Sequence, residues 1–308
     1  MRLSEIAAAG LRHHRRSHLA VALGVAVATA VLTGALVVGD SVRGSLRDLT
    51  LERLGRVDHA LVTGKLFRSE LAVELLNTEG FTDHFATADP AILLTASAAS
   101  RSADGERRFA SGVSLTGITW GAENPAFWPD AYYKSEPPSD ETLAGLHVTP
   151  ALAEELGVAV GDEVVLRLPS FDPQPADSPL GDKSGSVATA RLPVTLITPR
   201  AGFQLNPSQR RARGACLDLR RLQRLLDAAD QANALLLSGW RQDRPARPDA
   251  ERWLAEAFRP RLVDYGLTVE RLSRGATQIE SDQLVLADPV VAAAETAFAD
   301  DELQPVVT

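Results

Sequence analysis

An uncharged apolar run near the N-terminus is the longest hydrophobic feature of the chain. Residues Leu19 to Val38 read LAVALGVAVATAVLTGALVV, without one charged side chain. A helix rises about 1.5 Å per residue, so this run would extend about 30 Å, the thickness of the hydrocarbon core of a bilayer. The run therefore predicts a transmembrane helix over residues 19–38.

The charges on either side of this run predict its orientation. Basic residues and histidines precede it at Arg12, His13, His14, Arg15, Arg16 and His18, whereas Gly39-Asp40-Ser41 follows it. Because positively charged flanks stay in the cytoplasm, the N-terminus is expected inside and the bulk of the chain outside the cytoplasm. The alternatives are a secretory signal peptide, whose apolar region is usually about 7–15 residues long, and a buried core helix.

Amphipathic patterns continue on both sides of the predicted span. Within residues 1–18, the apolar residues between Leu3 and Leu11 recur near helical spacing among Arg and His. This pattern predicts a cytoplasmic amphipathic segment on the inner membrane surface. Within residues 39–56, leucines alternate with charges from Arg43 to Leu54, which predicts that the helix continues outside as a polar stalk.

The remaining residues alternate between short strand patterns and leucine-rich helical patterns. Strands are predicted at 57–62, 91–96, 108–113, 114–119, 163–168, 192–198, 234–237 and 267–272, and helices at 69–77, 217–228, 249–258 and 284–298. This order predicts an α+β fold in which two βαβ-like units contain an inserted mostly-β subdomain. The expected divisions are 57–140 for the first half of the core domain, 141–230 for the insert and 231–308 for the second half.

The segment from His147 to Leu168 has the clearest local pattern. Thr149 suits a helix N-cap, Pro150 the first helical position, and Gly157 the left-handed position after the helix. Gly161-Asp162 predicts a turn, and alternating valine and leucine from residue 163 predict a strand. Asp162 and Glu163 are interpreted as solvated turn carboxylates.

Composition excludes several classes of protein. The 308 residues carry a formal net charge of -8, and the cationic residues beyond the stalk cluster only at Arg210, Arg211 and Arg213, which argues against nucleic acid as a partner. Cys216 is the one cysteine, so an intrachain disulfide is impossible, and we expect a buried apolar side chain there.

Known catalytic and metal-binding motifs are absent from the sequence. It contains no phosphate loop of the G-x-x-x-x-G-K-[ST] type, no G-x-S-x-G elbow, and no H-E-x-x-H or paired C-x-x-C pattern. We therefore predict no catalytic, cofactor-binding or metal-binding residue, no cofactor, and no enzymatic activity. His59, His84 and His147 are interpreted as structural, and Asp40 and Arg43 as solvated boundary residues. The loops at 120–138 and 169–185 are the expected places for specificity.

Several blocks, taken in order, resemble an ABC transporter permease of the FtsX/MacB type. They are the membrane entry at Arg12–Val38, the block Gly39–Leu46, the Leu-Gly-Val and Gly-Asp-x-Val of Val148–Leu168, then Val194–Thr198, Phe203–Leu222 and Ala232–Leu236. In this family, a large extracytoplasmic core domain follows the first spanning helix, and three further spanning helices follow the domain. The resemblance covers nearly the whole chain, which is therefore expected to be the N-terminal part of such a permease.

The resemblance implies both a function and partners. Two permease chains, identical or different, would pair with two cytoplasmic ATPase chains in the cell inner membrane. ATP hydrolysis on the partner would rearrange the periplasmic core domains, in export or lipoprotein release, with a periplasmic adaptor or substrate as a further partner. The alternative is a single-pass, membrane-anchored extracytoplasmic binding or scaffold protein.

Overall fold

The computed structural model describes residues 12–55, 57–101, 105–119, 145–169, 188–205, 210–239, 249–271, 277–281 and 290–291. Helices are α1 (Arg15–Leu54), α2 (Glu70–Leu76), α3 (Phe81–His84), α4 (Pro150–Leu156), α5 (Leu219–Leu225) and α6 (Ala250–Ala257), with 3₁₀ turns at Pro199–Gly202 and Leu262–Tyr265. Strands are β1 (Val57–Arg68), β2 (Thr87–Arg101), β3 (Arg107–Ile118), β4 (Leu146–Val148), β5 (Glu163–Leu168), β6 (Ala188–Ile197), β7 (Gly214–Asp218), β8 (Gln231–Ser238), β9 (Leu267–Arg271) and β10 (Thr277–Ser281).

The chain contains two compact units. One comprises residues up to Glu52 together with 206–209, and the other, here called the sheet domain, comprises 53–205 and 210–308. In the first unit, the predicted span and the predicted stalk form one uninterrupted helix, α1. Among the described residues, α1 is the one helix that is long and apolar enough to cross a membrane. Its aliphatic side chains, such as Leu36 and Val31, are exposed.

In the sheet domain, strand β2 joins two parts of one eight-stranded sheet. The eight-stranded sheet has the order β1-β8-β2-β3-β7-β4-β6-β5, and β5 pairs again with β2. The pairings from β2 through β3, β7, β4, β6 and β5 back to β2 therefore form a closed six-stranded ring, the barrel. The first residues of β2 pair instead with β8, which lies between β1 and β2.

Apolar side chains fill the barrel and cover both faces of β8. The barrel interior includes Ile92, Leu115, Leu166 and Leu192, together with residues of α4 and α5. On one face of β8, Leu235 and Leu237 pack with residues of α2, α3 and α6. On its other face, Ala234 and Leu236 pack with Val57, Ala91, Ile118 and Phe203. β8 is consequently buried on both sides, which explains its apolar run from Ala234 to Leu237.

The local predictions at 147–168 are confirmed. The hydroxyl of Thr149 accepts from the backbone N–H of Leu152 at 3.3 Å, Pro150 begins α4, and Gly157 ends it with a φ of 62°. The side chain of Asp162 accepts from the N–H of Ala159 at 2.7 Å. These features depend on neighbours in the sequence, so the sequence was sufficient to predict them.

Other element predictions need correction. The predicted helix at 217–228 begins too early, because Leu217 lies in the buried strand β7 and Asp218 caps α5 through the N–H of Arg221 at 3.0 Å. The strands predicted at 108–113 and 114–119 form one strand, β3, with a register shift opposite Ala96 and a positive φ at Gly112. The strands predicted at 57–62 and 91–96 are only parts of β1 and β2.

The coarse α+β class is confirmed. The predicted strand at 267–272 forms as β9, but within the described chain it pairs with β10 in a separate two-stranded sheet. Ser69 precedes α2 as predicted, yet its side chain makes no cap bond and instead accepts from the amide of Gln223 at 3.2 Å. The helix predicted at 284–298 lies outside the described residues, except for Val290 and Val291.

Candidate functional site: the anchoring cluster at the end of the long helix

The last residues of α1 belong to the sheet domain, and a short joint leads from them into β1. Gly55 has a φ of 62°, a conformation that favours glycine, and only Gly55 and Arg56 separate α1 from β1. Leu54 packs against the buried cluster that contains Val57 and Phe203. The helix end is therefore part of the hydrophobic core of the sheet domain.

Hydrogen bonds fasten the same helix end to three segments of the domain. The guanidinium of Arg53 donates to the side-chain oxygen of Gln204 at 3.3 Å and to the backbone carbonyl of Arg210 at 2.7 Å. The amide of Gln204 in turn donates to the hydroxyl of Ser114 in β3 at 3.2 Å. We call Arg53, Leu54, Ser114, Gln204 and Arg210 the anchoring cluster.

Close backbone packing lies beside this cluster. The hydroxyl of Thr149 donates to the carbonyl of Ala212 at 2.7 Å and accepts from the N–H of Gly214 at 3.2 Å. A Cβ added at Gly214 would collide with the backbone of Ala201 and Gly202. The start of β7 and the 3₁₀ turn at Pro199–Gly202 can therefore approach this closely only with glycine at position 214.

A buried asparagine joins β8 to β2 where their backbone pairing ends. The last backbone pair in this ladder is Ala91 with Ala234. Beyond it, the side-chain oxygen of Asn233 accepts from the N–H of Leu93 at 2.8 Å, and its amide donates to the carbonyl of Leu93 at 2.8 Å. The side chain thus continues the ladder at the point where β2 enters the barrel.

An ionic network ties the end of β1 to the segment after α6. Arg68 donates to both carboxylate oxygens of Asp264, at 3.0 and 2.9 Å, and to Glu74 at 3.1 Å. Arg261 also contacts Glu74 at 2.5 Å. The hydrogen bond from Arg68 lowers the pKa of Glu74, and the pKa of Arg68 is raised chiefly by its bond to Asp264. The network stabilises the fold and contains no reactive group.

Asp89 is the carboxyl group most altered by burial. It lies on β2 directly opposite Leu236. Burial raises its pKa from 3.8 to about 6, and a hydrogen bond with Thr87 acts in the opposite direction. Burial also raises the pKa of Cys216 to about 12, so this thiol is unreactive and is buried as expected.

Of the other residues considered from the sequence, His59 and His84 lie at one aromatic cluster, in which the ring centroids of Phe85 and Trp253 are 6.1 Å apart. His59 lies edge-on to Phe85 with 5.4 Å between ring centroids, and His84 stacks on Trp253 at 5.0 Å. His147 is buried in β4, while Asp40 and Arg43 are exposed on α1. No group of three or more His, Cys, Asp or Glu side chains that could hold a metal occurs among the residues the structure describes.

Two predicted specificity loops cannot be placed. The loop at 120–138 lies outside the described residues, as does the loop at 169–185 apart from Pro169. Conversely, the anchoring cluster was missed from the sequence, because Arg53 meets partners about 150 residues further along the chain. No local pattern indicates such a contact.

Comparison with solved structures gives 16 matching chains, two of which are described here. No protein-family model matches the chain, and neither does any curated protein. The periplasmic region of MacB from Actinobacillus actinomycetemcomitans is 9% identical with a TM-score of 0.34, covering 80% of this chain and 97% of that one. The extracellular domain of the noncanonic ABC-type transporter YknZ from Gram-positive bacteria is 11% identical with a TM-score of 0.34, covering 72% of this chain and 100% of that one.

Proposed function

We propose that the chain is the N-terminal part of an ABC transporter permease of the FtsX/MacB type. In this role, ATP hydrolysis by a separate cytoplasmic subunit moves α1, and the movement rearranges the sheet domain. The observation that carries the proposal is the anchoring cluster, in which the last turn of α1 is packed and hydrogen-bonded within the domain. The order of sequence blocks along the chain supports the same family.

A short connection distinguishes a transmitting helix from a tether. A scaffold protein held at a membrane requires only a flexible linker, and glycine- and serine-rich segments serve that purpose. Here two residues connect α1 to β1, and Leu54 packs against a buried cluster of the sheet domain. A displacement at residues 53 and 54 would therefore reach Arg210 directly, and Ser114 through Gln204, by hydrogen-bonded contacts.

The finer features of this role are also proposals. The N-terminus lies in the cytoplasm, α1 crosses the cell inner membrane, and the sheet domain lies in the periplasm, because the basic flank precedes the span. The core domain consists of two βαβ-like units with the inserted mostly-β subdomain at 141–230. A second permease chain and two ATPase subunits complete the transporter, which acts in export or lipoprotein release. The chain itself is not an enzyme.

The first test reads the genomic locus. The proposal expects three further spans of about 20 apolar residues encoded after Thr308, and a gene beside it that encodes a phosphate-loop ATPase. A locus with neither feature would overturn the permease and leave the membrane-anchored binding protein. Co-purification of the two gene products, with ATPase activity in the complex, checks the partnership.

The second test interrupts the joint. Six Gly and Ser residues inserted after Gly55 would form a flexible linker with an average length of about 13 Å. The matched control carries the same insertion in the connection between β8 and α6. A spin label on Val73→Cys, at an exposed position of α2, reports the distance between two copies, since Cys216 is buried.

The joint insertion should leave the complex assembled and hydrolysing ATP but abolish the ATP-dependent change in label distance. The control insertion should preserve that change. An unchanged response in the joint variant would show that movement does not pass through the anchoring cluster, even if the locus confirms the permease.

A further inference from the structure

The outer face of the barrel carries a group of arginines around one exposed phenylalanine. Four arginines belong to this face, Arg101 on β2, Arg107 on β3, Arg167 on β5 and Arg191 on β6, and all four are exposed. Phe109 on β3 is 64% exposed, an unusually high fraction for an aromatic side chain in a sheet. We call these five residues the arginine face.

The strand register places these residues side by side. Phe109 lies opposite Ala99, Ala99 opposite Val165, and Val165 opposite Arg191, forming one row across four strands. Residues directly opposite in antiparallel strands project on the same side of the sheet. Ala98, Ala110, Leu166 and Ala190, which alternate with this row, point into the barrel core.

The neighbouring rows supply the remaining arginines. Arg101 lies directly opposite Arg107 on one side of the apolar row, and Arg167 lies opposite Ser97 on the other side. At about 3.4 Å per residue and about 4.8 Å per strand, the rows extend over roughly 14 Å in each direction. Glu163, opposite Pro193, is the carboxylate on this part of the face.

This arrangement costs the fold stability without a compensating contact among the described residues. Like charges directly opposite each other in paired strands are destabilising, and Arg101 and Arg107 form such a pair. None of the four arginines forms an ion pair with a carboxylate in the part of the chain that the structure describes. Elsewhere, Arg211 and Arg213 do pair, with Glu154 and Glu155.

The composition of the face is that of a protein interface. Aromatic residues and arginine are enriched at interfaces, whereas lysine and glutamate are depleted. Phe109 and the four arginines share this side of the sheet with the carboxylate of Glu163, and the arginines surround an apolar row. Such a face matches a ligand with carboxylates around an apolar centre, since the guanidinium group pairs with carboxylates through two parallel hydrogen bonds.

A second copy of this chain does not fit the face as a two-fold partner. In a two-fold contact the same patch meets itself, which would bring arginine against arginine. A contact between this face and an acidic region elsewhere on another copy would not close and would lead to polymers. A lipid surface fits less well. The apolar row consists of Phe109, Ala99 and Val165 on a sheet surface between charged side chains, and the row includes no amphipathic helix that could insert into lipid.

We propose that the arginine face binds an acidic segment of a partner protein, with apolar side chains on the row of Phe109 and carboxylates on the four arginines. Each of the strands β2, β3, β5 and β6 pairs with another strand on both sides in the ring. The partner would therefore bind through side chains and not by adding a strand to the sheet. The contact is small, so affinity should be modest and strongly salt-dependent. This proposal is independent of the transport function.

The test uses the full chain in neutral detergent and a fluorescent peptide. The probe has two central leucines with three glutamates on each side, and its binding is followed by fluorescence anisotropy. The two test variants are Arg101→Glu with Arg107→Glu, and Phe109→Ser. Matched controls are Arg220→Glu with Arg252→Glu, which change the same charge at exposed positions, and Val73→Ser, which removes an exposed apolar group.

The wild-type chain and both controls should bind the peptide at low salt, and the double arginine variant should bind at least about tenfold more weakly. Phe109→Ser should weaken binding about threefold or more, and should not alter the thermal unfolding temperature of the chain. Equal binding by the arginine variant, or no wild-type binding at millimolar peptide, would overturn the proposal. Stronger, arginine-dependent binding of dihexanoyl phosphatidylglycerol without a Phe109 effect would assign the face to lipid and also overturn it.

Discussion

Asn233 offers the sharpest test of how the two parts of the sheet domain are held together. Its side chain is 4% exposed and makes two hydrogen bonds of 2.8 Å to the backbone of Leu93. Replacing it with leucine, which has similar volume, leaves one N–H and one C=O of Leu93 without these partners. A buried polar group without a partner costs about 1–3 kcal/mol.

Two such groups lose their partners, which would double this cost to about 2–6 kcal/mol. Because Leu93 is only half-buried, the expected loss of stability for Asn233→Leu is in the lower part of that range, about 2–4 kcal/mol. For a domain of this size, that loss should lower the unfolding temperature by roughly 4–16 °C. Equilibrium unfolding in urea, followed by tryptophan fluorescence, would measure the free energy of unfolding, since one of the four tryptophans, Trp253 on α6, packs against a buried cluster of the domain. Asn77, which is exposed, provides the matched control.

Asn233→Asp adds a dependence on pH that a simple packing defect would not show. A carboxylate can still accept from the N–H of Leu93, but it would face the carbonyl oxygen of Leu93 with no proton to donate. Burial and this carbonyl should raise its pKa above the ordinary value of about 3.9, because the protonated form restores both bonds.

A raised folded-state pKa favours folding of the protonated form, so the variant should be close to wild type below about pH 4 and lose stability as the pH rises through its folded pKa. Asn77→Asp, at the exposed C-cap of α2, should show a change of less than about 1 kcal/mol, from the interaction of the carboxylate with the helix end. A leucine variant within about 0.5 kcal/mol of wild type, or an aspartate variant with a flat pH profile, would refute this account of the joint.

The remaining predictions concern charge and close packing. Asp89→Asn should stabilise the chain by about 3 kcal/mol above pH 6 and have little effect below about pH 4. The reason is that burial raises the pKa of the Asp89 carboxyl from 3.8 to about 6, so that its ionisation in the folded chain costs free energy. Urea unfolding measured across this pH range checks the sign of the effect. Asp264→Ala should cost about 3 kcal/mol by leaving Arg68 without its main partner, whereas Glu70→Ala, which removes an exposed partner of the same arginine, should cost less than about 1 kcal/mol. Gly214→Ala should destabilise by about 3 kcal/mol in thermal unfolding, since its methyl group would collide with the backbone of the 3₁₀ turn; an unchanged unfolding temperature would contradict the close approach.

The sequence by itself was sufficient wherever the cause lies within a few residues. Helix α4 follows from Thr149, Pro150 and Gly157, whose side chains and backbone angles act on adjacent peptide groups. The long helix follows from an uncharged run that only a helix in an apolar environment can satisfy, and β5 follows from the apolar residues Val164, Leu166 and Leu168 at every second position.

Tertiary contacts decided the elements that local pattern misread. Strand β7 is short and apolar up to Leu217, and that leucine fits the leucine pattern of α5. Only the pairing of β7 with β3 and β4 shows that Leu217 is extended. Thr87–Arg101 is extended over its whole length because it pairs with β8 at its start, with β3 from Ala91 onward and with β5 near its end. A single-strand pattern contains no information about which strands will flank it.

The two surfaces of functional interest were likewise assembled by the fold. Arg53 meets Gln204 and Arg210 because the 3₁₀ turn and β7 come together at the end of α1. The arginine face combines side chains from residue 101 to residue 191, and its register depends on β2 closing the ring with β5. The short-range pattern of the sequence determined which segments are helices and strands. Which side chains become neighbours was determined by the distant strand pairings that close the ring, because contact between distant residues depends on the topology of the whole domain.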